Sequence, residues 1–265
     1  MLSLDSLVSH AKARGLPAGK LRGSVREYIQ VLILKALYGL PQAKGLVFLG
    51  GTALRFAHNL PRFSEDLDFD CEAMSFKEWK TLLEETGHVV ARHGVQVEVK
   101  ADEKGSLLTG DLRCQGFLQS YGLAQGQGEK LKIKMEANRP DYPIGTEPCV
   151  ISAYGEMAPV SLAAPSLIIA EKILALLNRE LGRDVYDLFF LAGKRWKPDE
   201  RVLTARGVKT DYAQAILKRI NQWGPKRLAN MARKLEPFLF EPEQVRLVEQ
   251  AHILLPAALQ YLDAP

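Results

Sequence analysis

Two glycines, a threonine and two aspartates form the stretch of this chain whose residue types and spacing could do chemistry. Between residues 46 and 70, an apolar run of strand length, Leu46 to Leu49, meets Gly50 and Gly51. Thr52-Ala53-Leu54-Arg55-Phe56 then reads as the start of a helix, and Ser64-Glu65-Asp66-Leu67-Asp68-Phe69-Asp70 as a loop entering an acidic strand. Glycines at such a turn let backbone amides approach a ligand closely, and a helix starting there points unpaired N–H groups and its positive dipole end outward, which suits phosphate. Side chains alternate along a strand, so Asp66 and Asp68 leave from one face while Leu67 and Phe69 enter the core. Their backbones stand about 6.5 Å apart, and their oxygens can converge on one Mg²⁺ or on two ions about 3.5–4 Å apart. A hard cation beside a phosphate cradle is the minimum equipment for phosphoryl or nucleotidyl transfer.

Alone, a Gly-Gly pair is an ordinary turn and Asp-x-Asp an ordinary strand edge. Together and in this order, Gly50-Gly51-Thr52, Arg62-x-Ser64 and Asp66-x-Asp68 resemble the signature of the DNA polymerase β-like nucleotidyltransferases. The form GGTALR followed by RxSxDLDF is similar to the AbiEii/AbiGii nucleotidyltransferase toxins of type IV toxin–antitoxin systems. That fold needs a third carboxylate on a strand beside the aspartates. Lys130 to Asn138 alternates, with Ile133 and Met135 directed to the core, and places Lys132, Lys134 and Glu136 on the other face. Glu136 is therefore the third carboxylate expected, with Asp70 as the alternative and a plain Lys134–Glu136 ion pair as the structural reading.

A second block lies further on: Glu171-Lys172 through Arg179, then Gly182-Arg183-Asp184-Val185-Tyr186-Asp187-Leu188. By spacing alone this is a helical hairpin turned at Gly182 and closed by Arg/Asp pairs. It also resembles the second block of the same toxin family, in which a Lys and an Asp of a helical domain complete the active site. The resemblance implies that Lys172 touches NTP phosphates and Asp184 supports catalysis or orients that lysine, with Asp187 anchoring the hairpin. Arg62 and Ser64 are expected as a phosphate ligand and a loop-fixing hydroxyl, unless Arg62 pairs with Glu65 or Asp66.

The elements that must position these groups divide the chain. Helices are expected over 3–15 and 24–39, the latter across one face of the sheet. Ser75-Phe76-Lys77-Glu78 is a capping box that opens a helix to about Arg92. Strands are expected at 95–99, 112–120 and 130–138, a hairpin loop at 122–128, and a Pro- and Gly-rich connection at 140–165 holding a short strand near 149–152. From 165 the pattern becomes helical, with helices at 165–179, 183–192, 210–223, 225–235 and 242–262. Strands first and helices after argue for an α+β chain: a polymerase β-like catalytic domain over 1–160, its mixed sheet flanked by helices, and an all-helical domain over 161–265.

The 265 residues can bury a substantial core, and 47% hydrophobic with 25% charged residues excludes a disordered chain. Cys71, Cys114 and Cys149 have no CxxC spacing, so neither a disulfide framework nor a zinc cluster is indicated, and His58, His88, His93 and His252 show no ligand spacing. The start lacks a signal peptide pattern and no run reaches membrane-spanning length, which predicts a cytoplasmic protein. The net charge is +4, yet residues 194–234 hold twelve Lys/Arg against three acids. Such a surplus suits a polyanion, although basic helix faces are common. Trp196, Tyr212 and Trp223 could stack on bases or lie in the core.

The expected activity is Mg²⁺-dependent transfer of NMP from an NTP to a hydroxyl. The resemblance implies an RNA acceptor, a tRNA 3′ end, and a separately encoded antitoxin. Two other readings stand beside it: transfer to a protein or small-molecule hydroxyl, and a non-catalytic nucleotide- or RNA-binding module.

Overall fold

The computed structural model describes residues 1–208 and 211–263. Lys209 of the basic stretch and Thr210 at the head of a predicted helix lie outside the described residues. Among these residues are ten α-helices and seven strands, grouped into two compact units. The first comprises Met1–Asn59, Phe63–Pro140 and Thr146–Leu162; the second comprises Leu60–Arg62, Asp141–Gly145 and Ala163–Pro265.

The first unit is built on a mixed sheet ordered β3-β4-β5-β2-β1-β7-β6. Its strands are β1 (Leu46–Leu49), β2 (Leu67–Cys71), β3 (Gln96–Lys104), β4 (Leu107–Gln115), β5 (Lys130–Asn138), β6 (Thr146–Ala153) and β7 (Glu156–Ala163). Strand β2 runs antiparallel to β1 and parallel to β5. Four helices accompany them: α1 (Leu4–Ala13), α2 (Leu21–Tyr38), α3 (Gly50–His58) and α4 (Phe76–Ala91).

Helix α4 opens with the predicted capping box, Ser75 and Glu78 satisfying each other's backbone N–H groups, and packs on β3 and β4. Helix α2 packs on α4 and reaches β5 and β6. It is buried nearly all round rather than along one stripe, so Glu27 and Gln30 are buried with its aliphatic residues. On β5 and β4 the apolar sets Leu131, Ile133, Met135, Ala137 and Leu108, Leu112, Cys114 are buried, which leaves the opposite face of these strands polar.

Two expectations are corrected here. Strand β4 begins at Leu107, not Leu112, and stops at Gln115, because Gly116 turns the chain with φ +90°. The stretch taken as a connection holds two full strands, β6 and β7, joined at Tyr154 and Gly155, whose φ values of 55° and 73° suit a tight hairpin turn. The helices expected at 210–223 and 225–235 are both found within Tyr212–Leu235 and meet at Gly224, whose φ of 65° and ψ of 170° are not helical.

The second unit is helical: α5 (Pro165–Asn178), α6 (Gly182–Lys194), α7 (Glu200–Ala205), α8 (Tyr212–Leu235), α9 (Arg246–Glu249) and α10 (Ala251–Asp263). Helix α7 was not foreseen. Among the described residues no helix is long and apolar enough to cross a membrane.

Candidate active site

Gly50 begins α3 directly after β1, and its φ of +78° is one that side-chain-bearing residues rarely adopt. Space imposes glycine as well. A Cβ there would lie 2.2 Å from Asp68 Oδ2 and 2.9 Å from Asp68 Cβ. The glycine turn and the second aspartate are thus packed directly on each other. Gly50→Ala is expected to push Asp68 aside, costing about 1–3 kcal/mol in thermal melts and about a hundredfold in transfer rate. Wild-type values on both counts would show that the turn does not hold Asp68.

The loop before β2 is fixed from two sides. Thr52 is fully buried, and its hydroxyl donates to the Asp66 carbonyl at 2.5 Å, so the side chain assigned to the triphosphate turn instead shapes the acidic loop. Gln30 of α2 donates from Nε2 to the Ser64 and Glu65 carbonyls at 3.0 and 3.1 Å. Ser64 thereby takes part in fixing the loop through its backbone. Sequence reasoning missed Gln30, and its signal was a lone amide in a run of aliphatic residues. Helix α3 itself is tied to α2 by a buried ion pair, Arg55 Nε to Glu27 Oε1 at 2.7 Å, to which Tyr154 also donates.

Strand register brings Glu136, the expected third carboxylate, alongside β2. Asp68 is opposite Glu136 on β5, whereas Asp70 is opposite Asn138 and is itself buried. A slip of one residue would turn Glu136 into the core and Met135 out of it, so the apolar alternation of β5 fixes where the carboxylate stands. Lys134 shares that face. Its Nζ lies 2.6 Å from Glu136 Oε1, and its charged form is favoured first by this hydrogen bond, with Asp66 and Asp68 adding to it against some desolvation. The donor set of Asp66, Asp68 and Glu136 is all carboxylate oxygen, the chemistry that a hard divalent cation takes. Among the described residues, however, no three His, Cys, Asp or Glu already stand in a metal-holding arrangement. Glu136 faces the lysine.

The second unit holds a separate charged cluster. Asp187, fully buried on α6, accepts from Arg62 Nε and Nη2, both at 2.7 Å, and lies 2.6 Å from Lys172 Nζ. Asp184, also fully buried, accepts from Arg179 at 2.7 and 2.9 Å and is 3.9 Å from Lys172. The distances shift the holding of the lysine from Asp184 to Asp187, while Asp184, 3.9 Å from the lysine, is tied to Arg179 across the hairpin. Arg62, expected beside Glu65 or Asp66, pairs with Asp187 and belongs to this unit, where it also bridges to Leu239. Burial opposes charge on Asp187, but the attraction and hydrogen bonds of Arg62 and Lys172 outweigh it and hold its carboxyl at about 2. Gly182, read as a turn, starts α6, and a Cβ on it would lie 2.6 Å from the Met231 carbonyl.

Along α7 and α8, Arg201, Arg206, Lys218, Lys226, Arg227, Arg233 and Lys234 are exposed. Trp223 is a core residue, 3% exposed beneath Arg219, and does not present a stacking face.

Comparison with known proteins agrees with the sequence resemblance. Residues 32–253 match the family model described as nucleotidyl transferase AbiEii toxin, type IV TA system. Among solved structures, the chain is similar to a candidate nucleotidyltransferase from H. pylori at 24% identity, covering 91% of this chain and 97% of that one with a TM-score of 0.57. It is similar to JHP933 from Helicobacter pylori at 21% identity, 92% and 98% coverage and a TM-score of 0.52. MenT4, a nucleotidyltransferase toxin from Mycobacterium tuberculosis H37Rv, is 18% identical, with 99% and 94% coverage and a TM-score of 0.56. At these identities the likeness is one of fold. No curated protein matches.

Proposed function

We propose, from the premise that the chain belongs to the AbiEii nucleotidyltransferase toxin family of type IV toxin–antitoxin systems, that it moves NMP from an NTP to an RNA hydroxyl with Mg²⁺. The observation that carries this reading is the packing of Gly50 on Asp68, with Glu136 in register on the neighbouring strand. A phosphate-binding turn and a carboxylate set are thereby part of one rigid piece of sheet.

Asp66, Asp68 and Glu136 would hold Mg²⁺, which when bound neutralises charge on the triphosphate and the departing pyrophosphate. Backbone N–H groups of Gly50 and Gly51, at the start of α3, donate to the triphosphate. Glu136 also orients the acceptor hydroxyl for attack on the α-phosphorus. In the helical unit the family resemblance assigns Lys172 to the NTP phosphates, with Asp187 holding its ammonium and Asp184 fixing the hairpin.

The exposed cations of α7 and α8 favour a polyanionic acceptor, and the family resemblance directs the reaction to a tRNA 3′ end in the cytoplasm, restrained by a separately encoded antitoxin. The test is to incubate the protein with Mg²⁺, total RNA and each α-labelled NTP in turn, and to separate products on a denaturing gel. Label in one RNA size class is the expected result. Label on protein alone, or on neither, would overturn the RNA assignment.

A further inference from the structure

Asp66, Asp68 and Glu136 carry three negative charges, and like charges gathered on one face repel one another. Of the two lysines on that face of β5, Lys132 lies 3.7 Å from Asp111, and Lys134 is the one that meets the acidic site. Lys134 reaches Glu136 at 2.6 Å and lies within electrostatic range of both aspartates. Its side chain is 40% exposed and that of Glu136 is 25% exposed, so the ammonium can swing into water on its flexible stem without opening the core. On the neighbouring strand the register partner of Lys134 is Asp111, whose carboxylate pairs with Arg113 and Lys132. Asp111 is thus engaged by other cations, and Lys134 meets Glu136.

We infer that Lys134 is the resident counter-cation of the acidic site, holding Glu136 until a divalent cation displaces it, so that metal affinity is set by a competition with this ammonium. The inference rests on the reading of Asp66, Asp68 and Glu136 as metal donors and deepens it. A lysine in this role keeps three carboxylates together before the metal arrives. It also weakens binding of the bare ion, because the ammonium must leave Glu136 first. A structural ion pair with no such role would leave metal affinity unchanged.

The experiment is a titration of the full-length protein with Mn²⁺ alone, followed by calorimetry or electron paramagnetic resonance and without nucleotide. Four variants are compared with wild type: Lys134→Met, Lys134→Gln, Lys134→Arg and Asp68→Asn. Removing the positive charge is expected to tighten Mn²⁺ binding by about tenfold or more, and to enlarge the rise in melting temperature that Mn²⁺ produces. Lys134→Arg, which keeps the charge, should bind as wild type does or more weakly. Two neutral variants are included so that a folding defect in one leaves the other readable. If Asp68→Asn weakens binding while both neutral Lys134 variants match or fall below wild type, the competition is overturned and the metal reading stands. If Asp68→Asn binds like wild type, or wild type binds no Mn²⁺, the metal reading itself falls and the inference with it.

Discussion

Asp66→Ala is expected to fold and melt as the parent chain does while losing nucleotidyl transfer about a thousandfold or more. The two halves of this expectation have separate causes. Asp66 precedes β2 and is partly exposed, and its backbone carbonyl, not its carboxylate, accepts the Thr52 hydroxyl. Truncating the side chain therefore leaves the loop tied down, and it removes one of several like charges from a crowded face. Chemically the same change removes an oxygen donor from the cation that balances charge at the triphosphate, a contribution of several kcal/mol to the barrier. Toxicity on expression should disappear with transfer. A variant that keeps transfer and toxicity would remove the acidic strand from the mechanism.

Asp187→Ala should act in the opposite manner, through stability. Its carboxylate is the common partner of Arg62 and Lys172, two cations that are 3% and 8% exposed at their side chains. Without it both cations stay buried beside Asp184, whose oxygens are engaged by Arg179. Breaking a buried pair in this way costs about 3–5 kcal/mol, a large part of the margin of an ordinary domain. The melting temperature should fall by about 10 °C or more. A melt within about 2 °C of wild type would show that the cluster is not held together by Asp187.

The acid sensitivity follows from the same carboxylate. Its folded-state value, about 2, lies below the ordinary 3.8, so the native state binds this proton less readily than the unfolded chain. Its stabilisation is fully present above pH 4 and is lost as pH falls toward 2. Asp187→Asn should flatten that part of the stability profile.

What the sequence made legible, and what it did not, follows how local each constraint is. The Gly50 turn and the Asp66/Asp68 pair could be read because the chemistry confines them to one strand–turn–helix–strand unit. Glu136 was readable because alternation on β5 has only two phases, and apolar Ile133 and Met135 choose between them. The partner of Arg62 was not readable. Asp187 lies 125 residues away and nothing local points to it. Proximity in sequence suggested Glu65 or Asp66 instead. The β6–β7 hairpin was hidden by Pro148, Pro159, Gly145 and Gly155, which read as a connector, although Ala158, Val160 and Leu162 alternate inward along β7. Gln30 was hidden because a buried amide on an apolar helix declares its role only through the carbonyls it meets. The order of the two aspartates in α6 was hidden for a related reason: residues three apart on one helix face share a side, and only the positions of Arg62 and Arg179 separate their tasks.

The most direct measurement of the central claim is label transfer from an α-labelled NTP to RNA by the purified chain, first in excess chelator and then with Mg²⁺ restored. The account predicts no transfer in chelator, full recovery on adding Mg²⁺, and none in either condition for Asp66→Ala. Transfer that proceeds at full rate in chelator, or that survives the substitution, would contradict it.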